Sequence, residues 1–251
     1  MISIPMIGAI ASNRIASSSL YDQYISDSPR VYWRLNESSG SALSDSSLNS
    51  ITGTLYNTYS LSQPSLAPND IGSSILFNGG YAKASNNFIP ESSNASFTIA
   101  FLIKHTKTGV CNFLQSTVSS SVNRIFIQLN RNASATLTNG SFRISGSTAT
   151  ESFSFSPTNN PNINDGNIHL VHIVKDGLTP YIYIDGVSVS VSTGYISTFP
   201  SGSISSSSER YVIGSDSLLS APCTAYIDEF ATFYSALSAA RISSHASAAG
   251  F

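Results

Sequence analysis

Residues 179 to 193 read TPYIYIDGVSVSVST, two runs of alternating side chains that meet at Asp185-Gly186. Asp-Gly tolerates positive φ at both centres of a type I′ turn, whose twist suits two antiparallel strands. The segment is therefore predicted as a β-hairpin. Across a two-residue turn Ile184 faces Val187 and Ile182 faces Val189, so these four share one face. Tyr181, Tyr183, Ser188 and Ser190 share the other. The first face is core and the second amphipathic.

The rest of the chain repeats this rhythm of strand and turn. Val31 to Leu35 reads as a first strand, and Thr54 to Tyr56 as a short one. Ser74 to Phe77 ends in the tight turn Asn78-Gly79-Gly80 and resumes at Tyr81 to Lys83. Phe97 to Lys104, FTIAFLIK, sets Phe97, Ile99, Phe101 and Ile103 against Thr98, Ala100, Leu102 and Lys104, which is the pattern of a central strand. Cys111 to Gln115, Arg124 to Leu129, Ser141 to Ser145 and Ser152 to Phe155 follow at the spacing of a sandwich, with Asn139-Gly140 as a second hairpin signal. His169 to Lys175 leads into the first hairpin, and Arg210 to Gly214 and Ala225 to Tyr234 are the last strands. Ser235 to Ile242 carries the helical signal, with Ser235 or Ser238 as its cap. The reading is one all-β antiparallel domain over residues 21–251 with one short C-terminal helix, preceded by an arm of residues 1–20.

Composition bounds what such a domain can bind. Charged residues supply 10% of the 251 positions, against about 25% in ordinary soluble domains, so the exterior is neutral and rich in hydroxyl groups. A net charge of −2 with no basic stripe argues against nucleic acid as a partner. No apolar run reaches the 18 or so residues of a membrane-spanning helix. Cys111 and Cys223 fit no zinc spacing and read either as small buried hydrophobes or as one long-range disulfide. Residues 1–20 lack a basic n-region, and Pro5, Asn13 and Arg14 interrupt their apolar run, unlike a signal peptide. They read either as an unstructured tail or as an arm whose Ile4, Met6, Ile7 and Ile10 dock on a partner.

Five stretches, in order, resemble the concanavalin A-like, laminin G-like jelly-roll family: PRVYWRLNESSGSALSDSS, ILFNGGYAKAS, SFTIAFLIK, GNIHLVHIVKDGLTPYIYIDG and YVIGSDSLLSAPCTAYIDEFATFYSALSAARISSHASA. The likeness spans roughly residues 29–248; it departs where Ile168 precedes His169, a place the family usually gives to Trp. It implies two antiparallel sheets stacked as a jelly-roll sandwich. An apolar arm before a domain opening on SPRVYWRLNE looks like virion proteins of tailed bacteriophages. That likeness implies a capsid or tail decoration module on the virion surface, with other virion proteins, copies of itself and host glycans as partners.

The resemblance also directs attention to specific chemistry. Glucan-cleaving relatives carry an EXDXXE run, which this chain lacks, and Asp228-Glu229 is its only close acidic pair. Adjacent strand residues are expected on opposite faces, so the two should not converge, and Glu229 is expected to meet an Arg. His105, His169, His172 and His245 are scattered and suggest no triad. A non-enzyme is therefore expected. By resemblance, Asp228 with carbonyls around Gly79 or Trp33 is the candidate site for one structural calcium. Tyr181 and Tyr183 are candidates for stacking on a sugar, with core packing as the plainer reading. The expectation is a virion structural protein anchored by its arm, with a glycan-binding adhesin as the alternative and a glycan-cleaving enzyme as a distant third.

Overall fold

The computed structural model describes residues 19–69, 71–90, 92, 95–106, 109–116, 124–129, 142–147, 152–158, 161–177, 179–193, 211–215 and 221–251. The chain opens with helix α1 (Leu20–Ser26) and strands β1 (Val31–Trp33), β2 (Ala42–Leu43), β3 (Gly53–Tyr56) and β4 (Tyr59–Pro64). It continues through β5 (Ser73–Asn78), β6 (Tyr81–Ala84), β7 (Phe97–Lys104), β8 (Cys111–Ser116), β9 (Arg124–Leu129) and β10 (Phe142–Ser147). Then come β11 (Ser152–Pro157), β12 (Ile168–Asp176), β13 (Thr179–Ile184), β14 (Val187–Val189), β15 (Val191–Thr193), β16 (Tyr211–Ile213), β17 (Thr224–Phe233) and helix α2 (Ala239–Ala249).

Among the described residues these strands form two antiparallel sheets. The first runs β14-β13-β12-β7-β17-β5-β4 with β1 also on β17, and the second runs β15-β11-β10-β9-β8-β16-β6-β3-β2. The alternation read in FTIAFLIK decides the layers. Phe97, Ile99, Phe101 and Ile103 enter the core between the sheets, while Ala100 and Leu102 enter a second cluster outside the first sheet, beneath α1 and α2. The jelly-roll sandwich and its C-terminal helix are as the sequence implies.

The hairpin forms as read, with Ile184 opposite Val187 and Ile182 opposite Val189, and with Asp185 and Gly186 at φ +54° and +79°. Val187 departs from the expectation: it is 68% exposed, because β14 is the outermost strand of its sheet. The C-terminal helix is capped by Ser238 and runs on to Ala249, well past Ile242, where Gly250 in the left-handed region ends it. A second short helix, α1, stands where the sequence was read only as the start of the domain. Ser19 caps it, exchanging bonds with Asp22, and Leu20 is buried. Ile4, Met6, Ile7 and Ile10 lie outside the described residues, as do Asn139-Gly140 and Arg210.

Of the two readings of the cysteines, the disulfide is the one that forms. Cys111 on β8 joins Cys223 just before β17, with Cα atoms 4.9 Å apart, so the bond ties one sheet to the other through the core. The helical side has its own fastener. His172 Nε2 lies 3.1 Å from His245 Nδ1, and His245 Nε2 lies 2.8 Å from Asp27, which also pairs with Arg241 at 2.8 Å. A carboxylate only accepts, so His245 Nε2 donates and its Nδ1 must accept from His172. That leaves His172 Nδ1 as a buried acceptor without a partner among the described residues.

Candidate functional site

β17 carries the sequence TAYIDEFATF, whose alternation breaks at Glu229. One edge of β17 pairs with β5 through Thr224–Ile227 and then with β1 through Phe230–Thr232. On its other edge β17 pairs with β7, and there the register slips by one residue between Asp228 and Ala231, with Glu229 in that bulge at φ +50°. The bulge overturns the expectation for the acidic pair, because Asp228 and Glu229 both end on the outer side of the sheet. Asp228 accepts from Leu66 N at 2.9 Å and Ser65 Oγ at 3.2 Å, while Glu229 accepts from Tyr32 Oη. Leu66 and Tyr32 both belong to the outer cluster.

These two carboxylates are shut away from water. Burial pushes Asp228 up to about 8, with the neighbouring charge of Glu229 adding to the rise. Burial, then Glu229, also raises the Tyr32 phenol far above its ordinary value. Glu229 meets the expected arginine: Arg34 Nε and Nη2 each lie 3.2 Å from Oε1. The guanidinium also stands 5.2 Å from the Tyr21 ring centre.

Arg34 leads outward to the rim of the sandwich. There the loop after β1 encloses a cleft of about 420 Å³, lined by Arg34, Asn36, Glu37 and the serines 38, 39, 44 and 46. Asp45 holds the loop by accepting from Tyr32 N, Ser47 N, Ser47 Oγ and Ile51 N at 2.7–2.9 Å. Leu35, buried between Arg34 and Asn36, sits at φ +60°. Glu37 Oε1 accepts from Ser44 N at 2.9 Å, whereas Oε2 is shielded from solvent without a partner among the described residues.

Beside the rim, the outer face of the second sheet carries an aromatic pair that the sequence did not single out. Tyr56 on β3 and Tyr81 on β6 are register partners, and their rings stack 5.0 Å apart at 16°. Tyr56 is 41% exposed, and Thr54 and Lys83 on the same face are exposed as well. On its other side Tyr56 faces Gly40, since Ala42 pairs with Thr54 and Leu55 N donates to Ser41 O. A Cβ on Gly40 would meet nothing within 4 Å, so open space lies next to the tyrosine. Outward alternation in Thr54-Leu55-Tyr56 was a legible signal; the register that brings Tyr81 alongside was not.

The residues named from the sequence are dispersed. Tyr183 is half-buried against the cluster under α2, on the opposite side of the molecule from Tyr56, and Tyr181 beside it is more exposed. Gly79 N bonds Cys223 O, five positions along β17 from Asp228, which places the two about 16 Å apart at strand rise. The Asp228 oxygens face N–H and O–H donors, and the Trp33 side chain lies in the core, with its Nε1 donating to Ile51 O at 2.7 Å. Gly79 therefore stands apart from Asp228, whose carboxylate oxygens are taken by protein donors. No group of three or more His, Cys, Asp or Glu suited to a metal occurs among the described residues.

Two stacked sheets, a closed helical side and a rim cleft define a lectin-type sandwich. The family model for the concanavalin A-like lectin/glucanases superfamily matches residues 77–243, and the chain belongs to that superfamily. No curated protein sequence matches it. Among solved structures it is similar to domain 4 of the GH43 extracellular arabinanase AbnA from Geobacillus stearothermophilus, in complex with arabinotriose. The TM-score is 0.63 at 15% identity, over 87% of this chain and 98% of that one. It is also similar to the binding domain of botulinum neurotoxin serotype D/C (0.63, 13% identity, 93% of this chain and 54% of that one). The ligand binding domain of serotype D, in complex with N-acetylneuraminic acid, matches at 0.60 and 14%, over 90% and 52%. At these identities the likeness is one of fold, and the chain spans about half the length of the toxin domains.

Proposed function

We propose that this protein is a non-catalytic glycan-binding module whose contact surface is the Tyr56–Tyr81 side of the second sheet. The observation that carries the reading is the stacked, solvent-facing tyrosine pair with open space beside it at Gly40. Aromatic faces of this kind suit the apolar C–H faces of sugars. Two of the similar structures hold a saccharide, which supports the same chemistry here. The acidic pair points away from catalysis, because Asp228 and Glu229 are 0% and 1% exposed and engaged by protein donors. In an affinity assay on immobilised oligosaccharides the full chain should be retained and Tyr56→Ala should lose at least tenfold in affinity with an unchanged melt. Equal retention of the variant would refute this surface.

The setting we propose for that module is the surface of a phage particle, where it works alone or as a homo-oligomer beside other virion proteins. This rests on the likeness of SPRVYWRLNE and on the placement of α1, which docks on the first sheet. The chain thus enters the domain on the side away from Tyr56, so an anchored N-terminus would turn the tyrosine face outward. Deleting residues 2–18, which spares the Ser19 cap, should abolish incorporation into particles. Normal incorporation would remove the anchor.

A further inference from the structure

We propose that the rim cleft between Arg34 and Ser46 is a distinct subsite for one uncharged sugar unit, recognised through its adjacent hydroxyl groups. The inference rests on the glycan-binding reading above and adds a place and a ligand class to it. Charge accounting selects the class. Arg34 is already neutralised by Glu229 at 3.2 Å, so Glu37 leaves the cleft with one net negative charge. An acidic sugar would be repelled there, whereas a neutral one offers O–H groups that both donate and accept.

The wall chemistry matches such a ligand. Glu37 Oε2 is a solvent-shielded acceptor without a donor among the described residues, while Oε1 is fixed by Ser44 N. A shielded carboxylate oxygen is unfavourable unless something donates to it, and a small turn of the Glu37 side chain into the cleft would let a sugar hydroxyl do so. Asn36 Oδ1 accepts from Ser73 N at 2.6 Å, which orients the amide at the cleft. The backbone is distorted on both sides of Arg34's anchorage, at Leu35 and at Glu229, each a non-glycine residue in the left-handed region. Strain of this kind persists where a site must hold its geometry. At about 420 Å³ the cleft is at the small end of ligand sites, enough for about one or two sugar rings. It shares the loop of residues 38–41 with the space beside Tyr56, so one unit can enter the cleft while the next meets the tyrosine.

The test uses the full chain on an array of matched neutral and sialylated oligosaccharides, followed by calorimetric titration with the best-retained neutral one. Glu37→Gln, which keeps an acceptor for Ser44 N, should weaken that titration at least tenfold without shifting the melt. Ser39→Tyr, an exposed position that would fill the cleft, should do the same and guards against a folding artefact in the first variant. Undiminished binding by both variants, with loss in Tyr56→Ala, would overturn the cleft and leave the glycan-binding reading standing. Preference of the wild type for the sialylated member of each pair would overturn the uncharged class. Retention of no oligosaccharide by the wild type would bring down both proposals together.

Discussion

The two outer faces of the sandwich come from the same alternation and end differently. Outside the first sheet, Ala100, Leu102, Val174 and Ala231 are roofed by α1, α2 and the segment around Leu66, and His172, His245, Asp27 and Arg241 are bonded into that roof. Outside the second, Thr54, Tyr56 and Lys83 are exposed, and no helix among the described residues packs over them. The difference separates two uses of polar and aromatic side chains. On the roofed side they fasten elements, so their loss is felt as stability; on the bare side they are free to meet a ligand, so their loss is felt as binding.

The covalent tie between the sheets gives the largest expected effect. Replacing both Cys111 and Cys223 by Ser frees a loop with a sequence separation of 112 and should lower the unfolding free energy in urea by about 4–5 kcal/mol. An unchanged midpoint would mean that packing alone fixes the faces relative to each other. Leu102→Ala under the roof should remove about 2–5 kcal/mol, while Thr54→Ala on the bare face should stay within about 0.5 kcal/mol. Similar losses at the two positions would erase the contrast. Tyr183→Ala should remove about 1 kcal/mol through lost packing against α2 while glycan retention persists, the reverse of what Tyr56→Ala should do.

Acidity offers a finer probe of the roof. Burial lowers His172 well below the ordinary imidazole value and His245 to about 4. As pH falls from about 6.5 to about 4, the unfolded chain therefore gains two protons that the folded one refuses. Asp228 acts with the opposite sign, because raised to about 8 it keeps a proton in the fold that the unfolded chain has lost above about pH 4. In the lower window the balance is one proton, so stability should rise with pH by roughly 1.4 kcal/mol per unit. Above about pH 6.5 the histidine contribution is complete and Asp228 makes stability decline. Melting temperatures between pH 4 and 8 should peak at about pH 6.5, and a flat profile would show that these groups are not sealed from water.

What could be read from the chain depended on how local the cause was. The FTIAFLIK strand, the Asp185-Gly186 turn and the Ser238 cap are set by neighbours in sequence, and each was legible. Helix α1 had a legible signal too, the Ser19 to Asp22 capping box, but seven residues are too few for a periodic pattern to stand out. The Glu229 bulge was hidden, since it shows only in the pairing of β17 with β7, a strand far away in the sequence. The candidate site shares that dependence. Arg34 owes its place to Glu229, and Tyr56 meets Tyr81 only through sheet register.

The position of β17 bears on how the molecule is made. Residues 224–233 fill the middle of the first sheet, between β7 on one edge and β5 with β1 on the other. During synthesis all three of those partners leave the ribosome long before the strand that joins them. The nascent sheet therefore waits with an open slot and two unsatisfied edges, a state prone to pairing with other chains. Closing the slot brings together residues as far apart as Tyr32 and Glu229, 197 positions, so folding should be slow for a protein of this size and should depend on protection until that strand arrives.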